Sequence, residues 1–569
     1  EISDLTATAA ELNYVDGVTS NVQTQMDTKA PTADPTFTGT LAAPTINAST
    51  KLQVNSTDVI TNARQLSNIA SIDATTAAAI TAGGVGGGGT LSFTATGAIS
   101  AGQAVGLRSD GTVEVITQST STTPTIEGTV EISQNFYSYL AATYDSTNNK
   151  VVIVYTDQDA SNYVYARAGA ISGTNISWEG QTLVMGITGL VGTAVYDPDQ
   201  DRTLAFIKRT GTDDEVYVYA LDSSGTTISN IGQIGNIQSQ ANILSYSAVY
   251  DTNANKTVFV IETGGPSTTS FVCTLTNGNT LDIQNSGSTC TVAEGDQISA
   301  YNAEQQAIVF DSNSNKIVFM YKNAASNAIF VVVGTVSGTS CSWAGHTLWF
   351  NGPWTVPDVA FDTNSNEFLV VYREAGGSIR ANVGSLSGST VTFSSNQTID
   401  SNTSSNYPAI SFDNNTNRFC ITYRVHTSNN GVALFATLSN STASFSSTTT
   451  FSTDNYLFYP PNAKHLLYDD NAQRFIIVYR VGDNDYHTTL IAGVSSNVSS
   501  WIGIAAEAIS NGASGDITIL GGVNENQTGL TINTVYYAQP AGGIGTASQD
   551  YKVGRAISAT KLLITEGNA

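Results

Sequence analysis

Apolar runs and polar turns alternate along this chain with a regular rhythm. A short apolar run ends in Asp, a polar turn with a charged exit follows, and a second apolar run begins. The pattern recurs at Asp145, Asp197, Asp251, Asp311, Asp362, Asp413 and Asp469, spaced 52, 54, 60, 51, 51 and 56 residues apart. A repeat of this length with strands inside each unit marks a propeller or a solenoid array. The first unit reads YLAATYD, a turn at STNNK, VVIVYTD, YVYARAGAIS and ISWEGQTLV. Four strands per unit make one propeller blade, so the pattern predicts a seven-bladed β-propeller over 125–499.

The seventh unit runs through His465–Tyr468, Arg474–Arg480 and His487–Val494 and then straight into WIGIAAEAI, so it lacks a fourth strand. Thr125–Ser133 precedes the first unit without a partner and can supply that strand. Closure removes sheet edges that would otherwise invite aggregation. Consecutive blade strands alternate in direction, so the Asp turns share one face with both connections to the rest of the chain. The loops before each first strand point the other way. Outside the repeat, 91–124 and 500–569 hold short, turn-rich strands such as LSFTA, TVEVIT, DITIL and KLLIT. Neither part alone has enough strands for a stable sheet, and together they read as one small β-domain split by insertion of the propeller.

Toward the start the period changes. In 1–30, Leu12, Val15, Thr19, Val22, Met26 and Lys29 recur at steps of three and four, the seam of a short coiled coil. Residues 31–57, with Pro31, Pro35 and Pro44, read as extended chain. A second helix is expected from about Asp58 to Ala82, with Leu66, Ile69 and Ile72 on its seam, followed by a glycine hinge up to residue 90. These segments are too short to stand alone in water, which points to several copies wound into a stalk. The alternative is a flexible polar leader. Glu1 rather than Met opens the chain, which leaves room for a start, or a signal peptide, upstream.

Composition narrows the partners. Charged residues make up 12% of the chain and the net charge is −24. That balance disfavours nucleic acid, which needs a basic stripe, and docking on anionic lipid. No apolar stretch is long enough to span a membrane as a helix. The four cysteines form no CxxC motif, so buried thiols are expected. A Cys273–Cys290 bridge within one unit is the alternative.

Several constellations resemble chemistry. Asp197-x-Asp199-x-Asp201, and the triplets opening at Asp251, Asp311, Asp362 and Asp413, fit the start of a calcium loop. Such a loop needs Gly at its sixth position, where this chain has Arg202, Lys256, Lys316, Glu367 or Arg418. Asp and Asn capping their own turns explain the pattern, and neither metal nor cofactor is expected. Tyr321-Lys322, Tyr372-Arg373, Tyr423-Arg424 and Tyr479-Arg480 repeat from unit to unit. Such recurrence favours packing, because an active site needs different residues in different places. No GxSxG elbow occurs, and nothing selects a pair among the acids Glu179, Glu374 and Asp213-Asp214-Glu215. The chain is therefore not expected to be an enzyme. The most suggestive feature is aromatic: Phe136, Tyr137 and Tyr139; Trp349, Phe350 and Trp354; Tyr456, Phe458 and Tyr459. All nine fall in segments expected as loops before a first strand. Rigid rings beside Asn and Gly suit sugar or protein recognition; the alternative is that they fill gaps between blades.

The opening LTATAAELNYVDGVTSNVQTQMDTKA, then PTADPTFTGTL and RQLSNIASIDATTAAAI, resemble stalk segments of bacteriophage tail fibres, those of marine phages above all. ATGAISAGQAVGLRSDGTVEVIT and WIGIAAEAISNGASGDITILGGV are similar to the halves of a small β-domain common in phage virion proteins. The resemblance covers about a third of the chain and leaves out the propeller. It implies a homotrimeric virion fibre, joined to other tail proteins, whose distal domain contacts a host-surface glycan or protein. It transfers no binding residue. The alternatives are a spike-like glycan hydrolase on a propeller scaffold and a decoration fibre without a receptor.

Overall fold

The computed structural model describes 52–54, 57–60, isolated positions nearer the start, and 89–565 apart from short interruptions, the longest at 458–463. The chain divides into two compact units between Gly86 and Gly87. In the first, Leu52–Val54 pairs antiparallel with Thr57–Ile60, Val54 facing Thr57. This corrects the expected helix start at Asp58. Thr57, Val59 and Ile60 are β-branched, and such side chains lose rotamer freedom in a helix but fit a strand. The stalk residues Leu12, Val15, Val22, Met26, Leu66, Ile69 and Ile72 lie outside the described residues.

In the second unit every described element is a strand. The architecture is all-β and built from many small, mainly antiparallel sheets. Seven of them, numbered here in chain order, have first strands that each end on a repeated Asp: Tyr137–Asp145, Gly189–Asp197, Ile243–Asp251, Ala303–Asp311, Trp354–Asp362, Asn406–Asp413 and Leu466–Asp469. First strands of successive sheets lie side by side, and that of sheet 7 lies beside that of sheet 1.

The Asp turns follow one physical plan. In each, the Asp Oδ1 accepts the backbone N–H groups two and three residues on, as Asp311 does from Asn313 at 2.9 Å and Ser314 at 3.0 Å. The fourth residue after the Asp has a positive φ: Asn149, Asp201, Asn255, Asn315, Asn366, Asn417 and Gln473, between 53° and 59°. Asn and Asp tolerate that region better than other non-glycine residues. The calcium-like spacing is thus the signature of a capped turn with a left-handed exit.

Side chains from facing sheets form the cores. Phe206 of sheet 2 stacks on Phe259 of sheet 3 at 4.2 Å between ring centres. Cys341 and Cys420 are buried free thiols, Cys273 is buried, and the strand that carries Cys290 pairs with sheet 2. Burial pushes the Cys341 thiol up to about 12.

Sheet 7 takes its outer strand from far upstream. Gln118–Ser133 pairs antiparallel with Asp485–Ser496, Ser133 facing Tyr486 and Gln118 facing Ser496. The buried Arg474 guanidinium donates to Glu127 at 2.5 Å across this junction. Arg418 of sheet 6 donates to the carbonyls of Ser121 and Gly493 and lies 4.4 Å over the Phe435 ring. Both chain connections, into 118 and out of 496, leave from the Asp-turn end. They lead to a five-stranded sheet that mixes Thr90–Thr94, Ala104–Leu107 and Val113–Val115 with Trp501–Ala505 and Ser514–Thr518. A second sheet follows from strands between Val523 and Leu563.

Candidate functional site

The seven first strands enclose an axial channel of about 460 Å³. Its walls are mainly aliphatic, among them Ala142, Ala194, Val249, Val309, Ile410 and Leu466. Around the Asp-turn end the residue before each Asp is aromatic: Tyr144, Tyr196, Tyr250, Phe310, Phe361, Phe412 and Tyr468. The tyrosines tie neighbouring sheets together. Tyr144 Oη donates to Asp469 Oδ1 at 2.5 Å, Tyr196 Oη to Thr147 Oγ1 at 2.6 Å, and Tyr468 Oη accepts from Asn415 at 3.2 Å. Burial, then the facing carboxylates Asp469 and Asp413, hold the Tyr144 and Tyr468 hydroxyls far above the usual phenol range, so both stay neutral.

The opposite end narrows to a polar floor around a small cavity of about 30 Å³. Lys464 Nζ, from sheet 7, donates to Asp358 Oδ1 at 2.7 Å and to the carbonyl of Val359 at 3.0 Å in sheet 5. Asp358 Oδ2 accepts the N–H of Ile410 in sheet 6 at 3.0 Å. Beside them Ser247 Oγ donates to Gln306 Oε1 at 2.9 Å. Three sheets therefore converge on one fixed ammonium–carboxylate pair. An ammonium already committed to these oxygens is protonated and held, and is not poised as a nucleophile. Among the described residues no group of three or more His, Cys, Asp or Glu is arranged to hold a metal ion.

The aromatic segments mostly sit on strands, which corrects their expected place in loops. Trp349 and Phe350 belong to the strand Ser340–Asn351. The Trp349 ring stacks on Phe393 of sheet 5 at 4.1 Å and meets Tyr372 edge-on at 5.6 Å. Both Trp349 and Phe350 pack against the core between sheets 4 and 5. Tyr139 packs against the core of sheet 1. Tyr137, Trp354 and Tyr456 are strand residues, while Phe136, Phe458 and Tyr459 lie outside the described residues.

The repeated Tyr-basic pairs serve packing and charge pairing. Tyr321, Tyr372 and Tyr479 are buried, Lys322 pairs with Glu304 at 3.0 Å, and Arg424 lies 5.1 Å over the Tyr407 ring. Glu179 and Glu374 are each held by a base, Lys150 at 2.6 Å and Arg380 at 2.9 Å. Two units lack the base at this register, Thr156 in sheet 1 and Glu262 in sheet 3. Glu262 stands eleven residues after Asp251, where sheets 4 to 7 carry Lys322, Arg373, Arg424 and Arg480. Its side chain is fully buried and both carboxyl oxygens lack a hydrogen-bond partner. Burial, with a smaller contribution from Glu304, pushes it up to about 7.

Lys464, Asp358, Gln306 and Glu262 escaped the sequence reading because none of them repeats. The signal for Glu262 was an acid at a basic register position.

No protein-family model and no curated protein matches the chain. Solved structures similar to it include a protein provisionally described as a 6-phosphogluconolactonase from Bacteroides uniformis, at 10% identity and TM-score 0.38 over 64% of this chain and 99% of that one. Another is the periplasmic gluconolactonase of Pseudomonas aeruginosa, at 12% identity and TM-score 0.38 over 68% and 99%. A Bacteroides fragilis protein described like the first matches at 11% identity and TM-score 0.37 over 62% and 92%. These structures are named as lactonases, so the expectation that this chain is not an enzyme finds no support in them. A likeness at this level assigns it neither their activity nor their residues.

Proposed function

We propose that the chain is a phage fibre protein, a homotrimer in the virion, which recognises a host-surface glycan or protein through a seven-bladed β-propeller. The circuit of first strands, in which sheet 7 returns to sheet 1 and is completed by Gln118–Ser133, supports the propeller reading. One observation carries the recognition reading. Both covalent connections leave from the Asp-turn end, which leaves the polar-floored end open to a partner. Fibre-like motifs in the first eighty residues support the virion setting, and three copies would turn weak single contacts into avidity.

The test is adsorption. Purified protein is added to host cells before phage, and adsorbed particles are counted. The protein is expected to block adsorption, and Trp354→Ala or Tyr459→Ala to weaken the block while the variants melt like the parent. A protein that neither binds cells nor competes would overturn the reading.

A further inference from the structure

The small β-domain holds a second cavity, remote in sequence from the channel. It has a volume of about 430 Å³ and lies between three loops, 101–103, 526–530 and 542–544, with Tyr536 in its wall. No charged side chain lines it. Its polar groups are amides and a hydroxyl: Gln103, Asn526, Gln527 and Thr528, the last exposed.

The cavity is held in shape before any ligand arrives. Buried Gln527 donates from Nε2 to the Gly102 carbonyl at 3.1 Å and to Asn524 Oδ1 at 2.9 Å, which locks two of the loops together. Asn524 is itself buried and donates to Ala505 and Thr518. Tyr536 Oη accepts the N–H of Thr531 at 2.8 Å, which fixes the ring. At Gly102 a Cβ would stand 2.5 Å from the Asn526 carbonyl oxygen, so only glycine lets these loops approach so closely.

Lining of this kind selects a ligand class. A phosphate or carboxylate ligand would find no cation, and a metal ion no carboxylate. A lipid chain would find too little continuous apolar wall. With the Gln527 amide N–H groups already given to Gly102 and Asn524 and an Asn526 N–H to Ala506, the Asn526 and Gln527 side-chain oxygens and the Thr528 hydroxyl remain to meet sugar hydroxyls, and a fixed aromatic wall suits the apolar face of a sugar ring. Preorganised walls lower the ordering cost of binding. We propose that this cleft is a binding site for a neutral saccharide.

Saturation-transfer NMR on the full chain with glucose and N-acetylglucosamine, and with glucose 6-phosphate and citrate as charged controls, tests the proposal. The expected result is saturable binding of a neutral sugar and none of the controls. Gly543 is not among the positive-φ glycines, and a Cβ added there meets nothing within 4 Å. Gly543→Trp should therefore fill the cleft and abolish binding. Thr528→Val should weaken it about fivefold, the loss of one hydrogen bond. No saturable binding of either sugar, equal binding of the controls, or unchanged affinity in both variants would overturn the assignment. Host-cell adsorption reads the opposite end of the sheet array, so the two proposals fail separately.

Discussion

Replacing Glu262 by Gln isolates the energetic cost of one misplaced acid. In the folded protein the carboxyl is fully buried and unpartnered, and its pKa rises from 4.5 to about 7. The folded state therefore holds this proton more tightly than the unfolded chain does. Stability from the group is complete below pH 4.5, declines as pH rises toward 7, and is gone above it. A shift of this size corresponds to about 3 kcal/mol. Gln carries no such proton, so the Glu262→Gln variant lacks this decline, and all other titrating groups are common to both proteins. Unfolding free energies from urea titrations at pH 5 and pH 8 provide the assay. The variant should gain about 2–3 kcal/mol on the parent between the two pH values, whatever fixed cost the buried amide adds. Parallel pH profiles would refute the reasoning and mean that Glu262 stays ionised through a contact it makes in solution.

Three further outcomes follow from the same contacts. Glu127→Ala removes one charged partner of buried Arg474, which keeps its bonds to the Ala472 and Gln473 carbonyls, and should destabilise the array by about 1–3 kcal/mol, seen as earlier thermal unfolding and faster proteolysis within 118–133. Asn315→Ala should cost about 1 kcal/mol because of its positive φ while Asn315→Gly costs less, measured by denaturant midpoint. Tyr144→Phe removes the donor to Asp469 and should cost about 1–3 kcal/mol, although sheets 4 to 6 carry Phe310, Phe361 and Phe412 at the same register.

The turns were legible in the sequence because their geometry restricts residue identity. Oxygen is needed at the Asp to cap two N–H groups, and a residue tolerant of positive φ four places later, so Asp311 and Asn315 announce themselves. The all-β character followed from the same rhythm. The channel floor was not legible. Lys464 reaches across to Asp358, more than a hundred residues earlier in the chain, and no local spacing encodes that meeting. The aromatic segments misled for a related reason. Trp349 looks like loop material beside Asn351 and Gly352, yet its strand continues to Asn351 because Phe393 of the next sheet offers the ring a partner.

The late completion of sheet 7 has a consequence for synthesis. Residues 118–133 leave the ribosome early, but their partner at 485–496 follows some 350 residues later, a wait of roughly 20–70 s at about 5–20 residues per second. Throughout that interval the segment is an orphan ready to join the wrong chain. Its own composition guards it: Pro124 lacks an amide donor, Gly128 weakens extended pairing, and Glu127 and Glu131 repel a second copy. The residue that later anchors the segment to Arg474 is thus also one that keeps newborn chains apart.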